Sequence, residues 1–256
     1  MGGDQGPATV IAGMAISARK NPDIGYIVHG PRDVIAPLLD KQRELAGRCE
    51  IRHAPQSVSM DDKPSNAARQ GRETSMWSAI ESVRSNEATV CVSCGNTGAL
   101  MLISVLRLRK LPGISRPAIA VMWPSQNPQQ HNIMLDGGAD IRADARDLVQ
   151  YALMGASYAR NGFGLPRPRI GLLNVGTEEH KGRAELREAY DLIAANAEHS
   201  DFEFVGFVEG RDLPGTTCDV IVTDGFTGNV ALKTGEGTAN LFSDLLREAF
   251  AYSKLS

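Results

Sequence analysis

Short apolar runs, each closed by turn residues, alternate along this chain with stretches of helical periodicity, and that alternation limits the possible fold more than any other feature. The runs at Tyr26 to Val28, Glu50 to His53, Thr89 to Ser93, Ala118 to Met122, Asn132 to Leu135, Ile170 to Val175, Phe202 to Phe207 and Val220 to Thr223 read as strands. Helical patterning covers Ala8 to Lys20, Ser65 to Arg84, Thr97 to Leu108, Asp144 to Tyr158, Arg183 to Ala197 and Asn229 to Tyr252. Strands separated by helices are joined by crossovers, so the expected fold is α/β: a mostly parallel sheet covered by helices on both faces, in three α/β/α layers. The 256 residues show no composition shift or low-complexity linker and are read as one domain spanning 1–256.

Composition narrows the partners. Twenty-seven Lys and Arg against 30 Asp and Glu leave a formal charge of −3, which gives no reason to expect nucleic acid, so any anionic partner must be met by local sites. The longest uncharged apolar run, Ala99 to Leu106, is closed by Arg107 and falls well short of the roughly 20 residues a spanning helix needs. Four cysteines without regular spacing, and no signal peptide, point to a reducing compartment, and the expected location is the cytoplasm. Both ends read as truncated. Met1-Gly2-Gly3-Asp4 forms a glycine turn with no strand to feed it, and the amphipathic stretch Asn240 to Tyr252 stops with Leu241, Phe242, Leu245, Leu246, Ala249 and Phe250 on one uncovered face.

Candidate chemistry collects where polar or glycine residues follow an apparent strand and lead into a helix or turn, because ligands of open parallel sheets bind at the carboxyl ends of strands. Cys94-Gly95-Asn96-Thr97-Gly98 is the clearest such segment. Its glycines let backbone N–H groups approach an anion beside the positive end of a helix dipole, although an Asn or Thr helix cap explains the pentapeptide equally well. Asp136-Gly137-Gly138-Ala139-Asp140, Gly176-Thr177-Glu178-Glu179-His180-Lys181-Gly182 and Asp224-Gly225-Phe226-Thr227-Gly228-Asn229 follow the same design. Their plain alternatives are a turn, a solvated charged loop and a capped helix. Met60-Asp61-Asp62-Lys63-Pro64-Ser65 sets one cation beside two acids before a helix. Several such turns on one sheet edge favour a binding cleft over coincidence.

Familiar cofactor and nucleophile signatures do not occur: there is no G-x-G-x-x-G, Walker loop, H-E-x-x-H or G-x-S-x-G. Cys91 and Cys94 form a lone C-x-x-C, while Cys49 and Cys218 stand apart, so buried thiols are expected rather than zinc. His29, His53, His131 and His199 lack a companion acid or ligand at a recognisable spacing. No metal or cofactor is expected.

Taken in order, Met1-Gly2-Gly3-Asp4, Met60-Asp61-Asp62-Lys63-Pro64-Ser65, Gly95-Asn96-Thr97-Gly98-Ala99-Leu100-Met101, Val208-Glu209-Gly210-Arg211-Asp212, Asp224-Gly225-Phe226 and Gly228-Asn229-Val230 with Leu232-Lys233-Thr234 make the chain resemble the phosphate acyltransferase family of bacterial phospholipid synthesis, known as PlsX. The resemblance runs from Met1 to about residue 245. It implies a fold akin to isocitrate and isopropylmalate dehydrogenases, a homodimer, and transfer of a long-chain fatty acyl group from acyl carrier protein to inorganic phosphate. It also implies a membrane-bound glycerol-3-phosphate acyltransferase downstream and a weak peripheral membrane contact at the apolar helix tip.

That reaction needs no serine or cysteine nucleophile, since phosphate is an anionic nucleophile and a thioester an activated donor; positioning and oxyanion stabilisation suffice. The expected roles follow. Lys181 stabilises negative charge on phosphate or oxyanion, Asn96 with Thr97 and Gly98 cradles an oxygen, and Asn229 orients a reacting group. Lys63 is a second anion contact. Gly2, Gly3, Asp4, Gly95, Asp136, Gly182, Asp224, Gly225 and Gly228 line the phosphate site; Asp136 and Asp224 fix lysines or backbone there, the alternative being an acid that assists thiol departure. Two other readings stand beside it: a catalytically silent protein that binds acyl carrier protein or an acyltransferase, motivated by the missing ends, and a dicarboxylic-acid oxidoreductase like the fold's dehydrogenase relatives.

Overall fold

The computed structural model describes residues 1–3, 5–178, 180–197 and 199–252. They form two compact units, Met1–Pro112 and Gly113–Ser256, a division that composition does not announce.

The first unit begins with α1 (Gly6–Lys20), β1 (Tyr26–Gly30), α2 (Arg32–Leu39) and β2 (Cys49–His53). The strands pair in parallel with Val28 opposite Ile51. Ile11, Ala15 and Ala18 of α1 bury against Ile35 of α2 and Leu45. Three further helices follow, α3 (Pro64–Gln70), α4 (Ser75–Arg84) and α5 (Thr97–Leu108), around a core of Val58, Ala67, Met76, Ile80, Ala99 and Ile103.

Three expectations change here. Helix α2 was hidden by Pro37, which sits inside it; burial of Ile35 holds the turn despite the missing N–H. The single helix expected over Ser65 to Arg84 is broken at Gly71, because Thr74 starts α4 afresh by accepting the Trp77 N–H at 3.3 Å. A Cβ on Gly71 would lie 2.6 Å from the Trp77 ring, so the indole packs directly on the break. Thr89 to Ser93 is not a strand: it pairs with no strand among the described residues, and Val90 and Val92 stand 70% and 83% exposed.

The second unit carries the larger sheet, built from β3 (Val121–Pro124), β4 (His131–Leu135), β5 (Arg169–Leu173), β6 (Glu203–Val208) and β7 (Val220–Val222) in the order β3-β4-β7-β5-β6. All neighbours are parallel except the edge strand β3. That edge strand begins three residues later than expected from the Ala118 to Met122 run. The interior strands β4, β5 and β7 are short and largely apolar, as strands covered on both faces must be. Ile133, Leu135, Ile170, Leu172, Val220 and Val222 face α6 (Ala145–Phe163) and α7 (Ala184–Ala197), while Met134, Leu173 and Ile221 face the opposite way, toward Ala231 and Leu232 of α8 (Gly225–Tyr252). Helix, sheet and helix thus make three layers. Gly155 of α6 brings its helix onto the sheet, since a Cβ there would meet Val220 at 2.4 Å.

Helix α6 begins at a reciprocal Asp144–Asp147 capping box and ends on Gly164 in the left-handed conformation. Helix α8 starts at Gly225, earlier than the expected Asn229, because Asp224 caps it by accepting the Thr227 N–H at 2.7 Å. Asn229 therefore lies within the helix rather than capping it. Among the described residues, no helix is long and apolar enough to cross a membrane.

Candidate active site

The candidate residues divide between the units. In Met1–Pro112, the turn at Gly2 and Gly3 lies directly on the turn at Cys94 and Gly95. A Cβ on Gly2 would sit 2.6 Å from Gly95 Cα, and one on Gly3, whose φ is +87°, 2.8 Å from the Cys94 carbonyl oxygen. Only glycine permits backbone to approach backbone so closely. A depression of about 320 Å³ opens beside them, lined by Gly2, Gly3, Gln5, Thr9, Met60 and Cys94 among others. Asp4 lies outside the described residues.

Asn96 joins this turn to the segment bearing Lys63. Its Oδ1 accepts the Ala99 N–H at 3.0 Å, capping α5, while its Nδ2 donates toward the carbonyls of Ser59, Met60 and Asp62 at 3.3, 3.1 and 3.0 Å. The side chain is buried and its hydrogen-bonding capacity is occupied. Asn96 is consequently a clamp within the fold. The free N–H groups of the α5 N-terminus belong to Thr97 and Gly98, which find no acceptor among the described residues and are available to an anionic oxygen. Gly98 also lets Pro64 approach, with a Cβ there 2.8 Å from the Pro64 ring. Lys63, exposed just before α3, is held beside this helix start by both contacts.

Loss of the Asn96 clamp has a measurable consequence. Asn96→Ala removes one helix cap and the hydrogen bonds to the carbonyls of the 59–62 segment, and is expected to lower unfolding free energy by about 1–2 kcal/mol in urea denaturation. A loss below about 0.5 kcal/mol would mean that the 59–62 segment does not depend on this amide.

In Gly113–Ser256, the candidate residues sit at the carboxyl ends of β4, β7 and β5, which are adjacent in the sheet. Asp136, fully buried after β4, accepts backbone N–H groups from Ile119, Gly138, Ala139 and Asp140 at 2.8 to 3.0 Å. Its carboxylate is the centre on which the 137–140 loop is wound. Gly225 and Gly228 press against that loop: a Cβ on Gly225 would meet the Asp140 carbonyl at 2.5 Å, and one on Gly228 the Asp136 carbonyl at 1.9 Å. Asn229, exposed on the next residue of α8, donates its amide to the Gly137 carbonyl at 3.3 Å.

Lys181 follows β5. Its ammonium pairs with Glu178 Oε1 at 2.7 Å, and its stem lies over Gly176, where a Cβ would reach Lys181 Cδ at 2.5 Å. Hydrogen bonding from Lys181 holds the Glu178 carboxyl below its ordinary range. The backbone beside it is set by Asn174, whose Nδ2 donates to the Lys181 carbonyl at 3.2 Å. Gly182, at φ +87°, lies so close that a Cβ would come within 2.2 Å of Asn174 Oδ1.

Asn174, Glu178 and Arg183 are parts of this site that sequence reading did not assign. Asn174 was concealed inside the run Ile170 to Val175; the strand stops at Leu173, and a polar residue at that point was the available signal. Arg183 ion-pairs with Asp224. Among the described residues, no cluster of His, Cys, Asp and Glu has the makings of a metal site.

The family model for fatty acid synthesis proteins matches residues 1–256. Relatives named phosphate acyltransferase include one from Cereibacter sphaeroides, 68% identical over the whole chain and 70% of its own length, and one from Paracoccus denitrificans, 68% identical over the whole chain and 69% of its length. This chain belongs to the phosphate acyltransferase family. It is an acyltransferase, as the motif order implied. The solved structures it resembles share its fold: a phosphotransacetylase from Staphylococcus aureus has a TM-score of 0.55 at 13% identity, covering 90% of this chain and 87% of that one. A phosphotransacetylase from Streptococcus pyogenes has a TM-score of 0.54 at 14% identity, covering 91% and 87%.

Proposed function

We propose that this acyltransferase moves a long-chain fatty acyl group from the thioester of acyl carrier protein to inorganic phosphate, and that the acyl phosphate it releases serves phospholipid synthesis. The observation that carries the reading is Lys181: a half-exposed ammonium held at a strand end by Gly176 and Glu178, on the strand next to the one that leads to Asn229. A cation there suits an incoming phosphate or the oxyanion that forms from the thioester carbonyl.

In this mechanism a phosphate oxygen attacks the thioester carbon. The carbonyl electrons move to oxygen, producing a tetrahedral oxyanion beside Lys181. Collapse re-forms the carbonyl, breaks the C–S bond and sends the electron pair to sulfur, which leaves as the carrier thiolate and takes up a proton. Asn229 orients the reacting groups through its amide. The acceptor is already nucleophilic, so the protein's contribution is placement and charge stabilisation. In the other unit, the α5 N-terminus with Thr97, Gly98 and Lys63 offers N–H groups and a cation to an anionic oxygen.

The exposed stripe Leu241, Phe242, Leu245 and Leu246 on α8, each 50–60% exposed, favours a homodimer in which a second copy covers it. The deciding experiment measures thiol release from fatty-acyl carrier protein with and without inorganic phosphate. Phosphate-dependent release is expected; carrier binding without it would select the silent carrier-binding reading instead.

A further inference from the structure

Two side chains at the strand-end rim of the second unit, Arg183 and Asp224, have no part in the chemistry above, and together they span two loops. Asp224 is 2% exposed at the end of β7. One carboxylate oxygen accepts the Thr227 N–H and caps α8; the other accepts from Arg183 Nη2, at the end of the loop that follows β5. Arg183 itself is mostly exposed, with a side chain 58% accessible. An ion pair between two exposed groups contributes little, but here one partner is buried, so removing the guanidinium leaves a desolvated carboxylate without its countercharge.

The placement of the pair matters more than its energy. Arg183 lies two residues after Lys181, and Asp224 caps the helix turn that presents Asn229. Lys181 and Asn229 come from separate loops, and the described hydrogen bonds and ion pairs between those two loops run through Arg183 and Asp224. The other ties are local: Asn174 and Glu178 hold Lys181 from within its own loop, and Gly137 holds Asn229 from the β4 side.

We propose that Arg183 and Asp224 form a latch between the β5 and β7 loops, which makes Arg183 a positioning residue that fixes Lys181 relative to Asn229. The inference rests on the acyl-transfer reading for its kinetic consequences and on the fold alone for its physical ones. The test therefore uses both kinds of readout on the full chain. Asp224→Asn keeps the oxygen that caps α8 and removes the charge that holds Arg183, so amide hydrogen exchange in residues 174–183 should accelerate by about tenfold, although the substitution is in another loop. Arg183→Gln should do the same and lower kcat by about tenfold to a hundredfold, with a smaller change in KM for phosphate. The double variant should be no slower than the worse single one, and Arg183→Lys should recover most of kcat.

Unchanged exchange in 174–183 would overturn the latch, as would single effects that multiply in the double variant. A raised KM for phosphate in Arg183→Gln with an unaffected Asp224→Asn would make Arg183 an anion contact, which also overturns it. A wild-type chain without phosphate-dependent thiol release would remove the acyl-transfer reading while leaving the exchange result to decide the latch.

Discussion

Lys181→Ala should lower turnover by about 10²- to 10³-fold while leaving the urea unfolding transition where it is. Both halves of that expectation come from the geometry. The ammonium reaches solvent, its side chain 44% exposed, and its partner Glu178 is exposed as well, so the pair adds little to folding. A cation with little structural value is free to act on substrate. In the proposed reaction the oxyanion beside it gains most from that charge at the transition state, so the loss is expected in kcat rather than in binding alone. Turnover within about threefold of wild type would remove Lys181 from the mechanism, and a shifted unfolding transition would mean that the residue supports the fold after all.

The sequence conveyed the parallel sheet well because its interior strands are covered on both sides and are apolar along most of their length. Ile170, Leu172, Val220 and Val222 could not be anything else without leaving a buried polar group. Thr89 to Ser93 has the same local pattern and is not a strand, since strand character is completed by a hydrogen-bonded neighbour and Val90 and Val92 lack one in the described structure. Local signals also failed where packing overrode them. Pro37 argues for a helix end, yet α2 persists around buried Ile35; Ser65 to Arg84 has helical period, yet Thr74 restarts the helix.

The candidate site was legible in its glycines and acids and illegible in its ties. Gly95 to Gly98, Asp136 to Asp140, Lys181 with Gly182, and Asp224 to Asn229 do stand at strand or helix ends, because residues that allow close backbone approach are conspicuous in a sequence. Nothing local says that Asn96 reaches carbonyls 34 to 37 residues away, or that Arg183 reaches Asp224, 41 residues on. Those bonds depend on how the chain returns. Asn96 illustrates the point: its pentapeptide allowed an anion cradle or a helix cap, and its side chain is the cap, leaving backbone N–H groups for an anion.

Gly228→Ala and Gly237→Ala, two identical substitutions in α8, should have opposite signs. Helix propensity favours alanine over glycine by about 1 kcal/mol in a helix interior, so propensity alone makes both stabilising. At Gly237 nothing lies within 4 Å of the added methyl, and the expected gain is about 0.5–1 kcal/mol. At Gly228 the methyl would fall 1.9 Å from the Asp136 carbonyl oxygen and 3.0 Å from Thr223 Cγ2. Backbone cannot swing aside as a lysine tip could, and the Asp136 carboxylate is already engaged by the N–H groups of its own loop. Helix and loop must separate, with an expected loss of about 3 kcal/mol or more in urea denaturation. Asn229, the next residue, then loses its register on Gly137, so activity should fall further than the unfolded fraction accounts for. Equal and favourable shifts at both glycines would show that α8 does not rest on the Asp136 loop, and the placement of Asn229 would have to be explained another way.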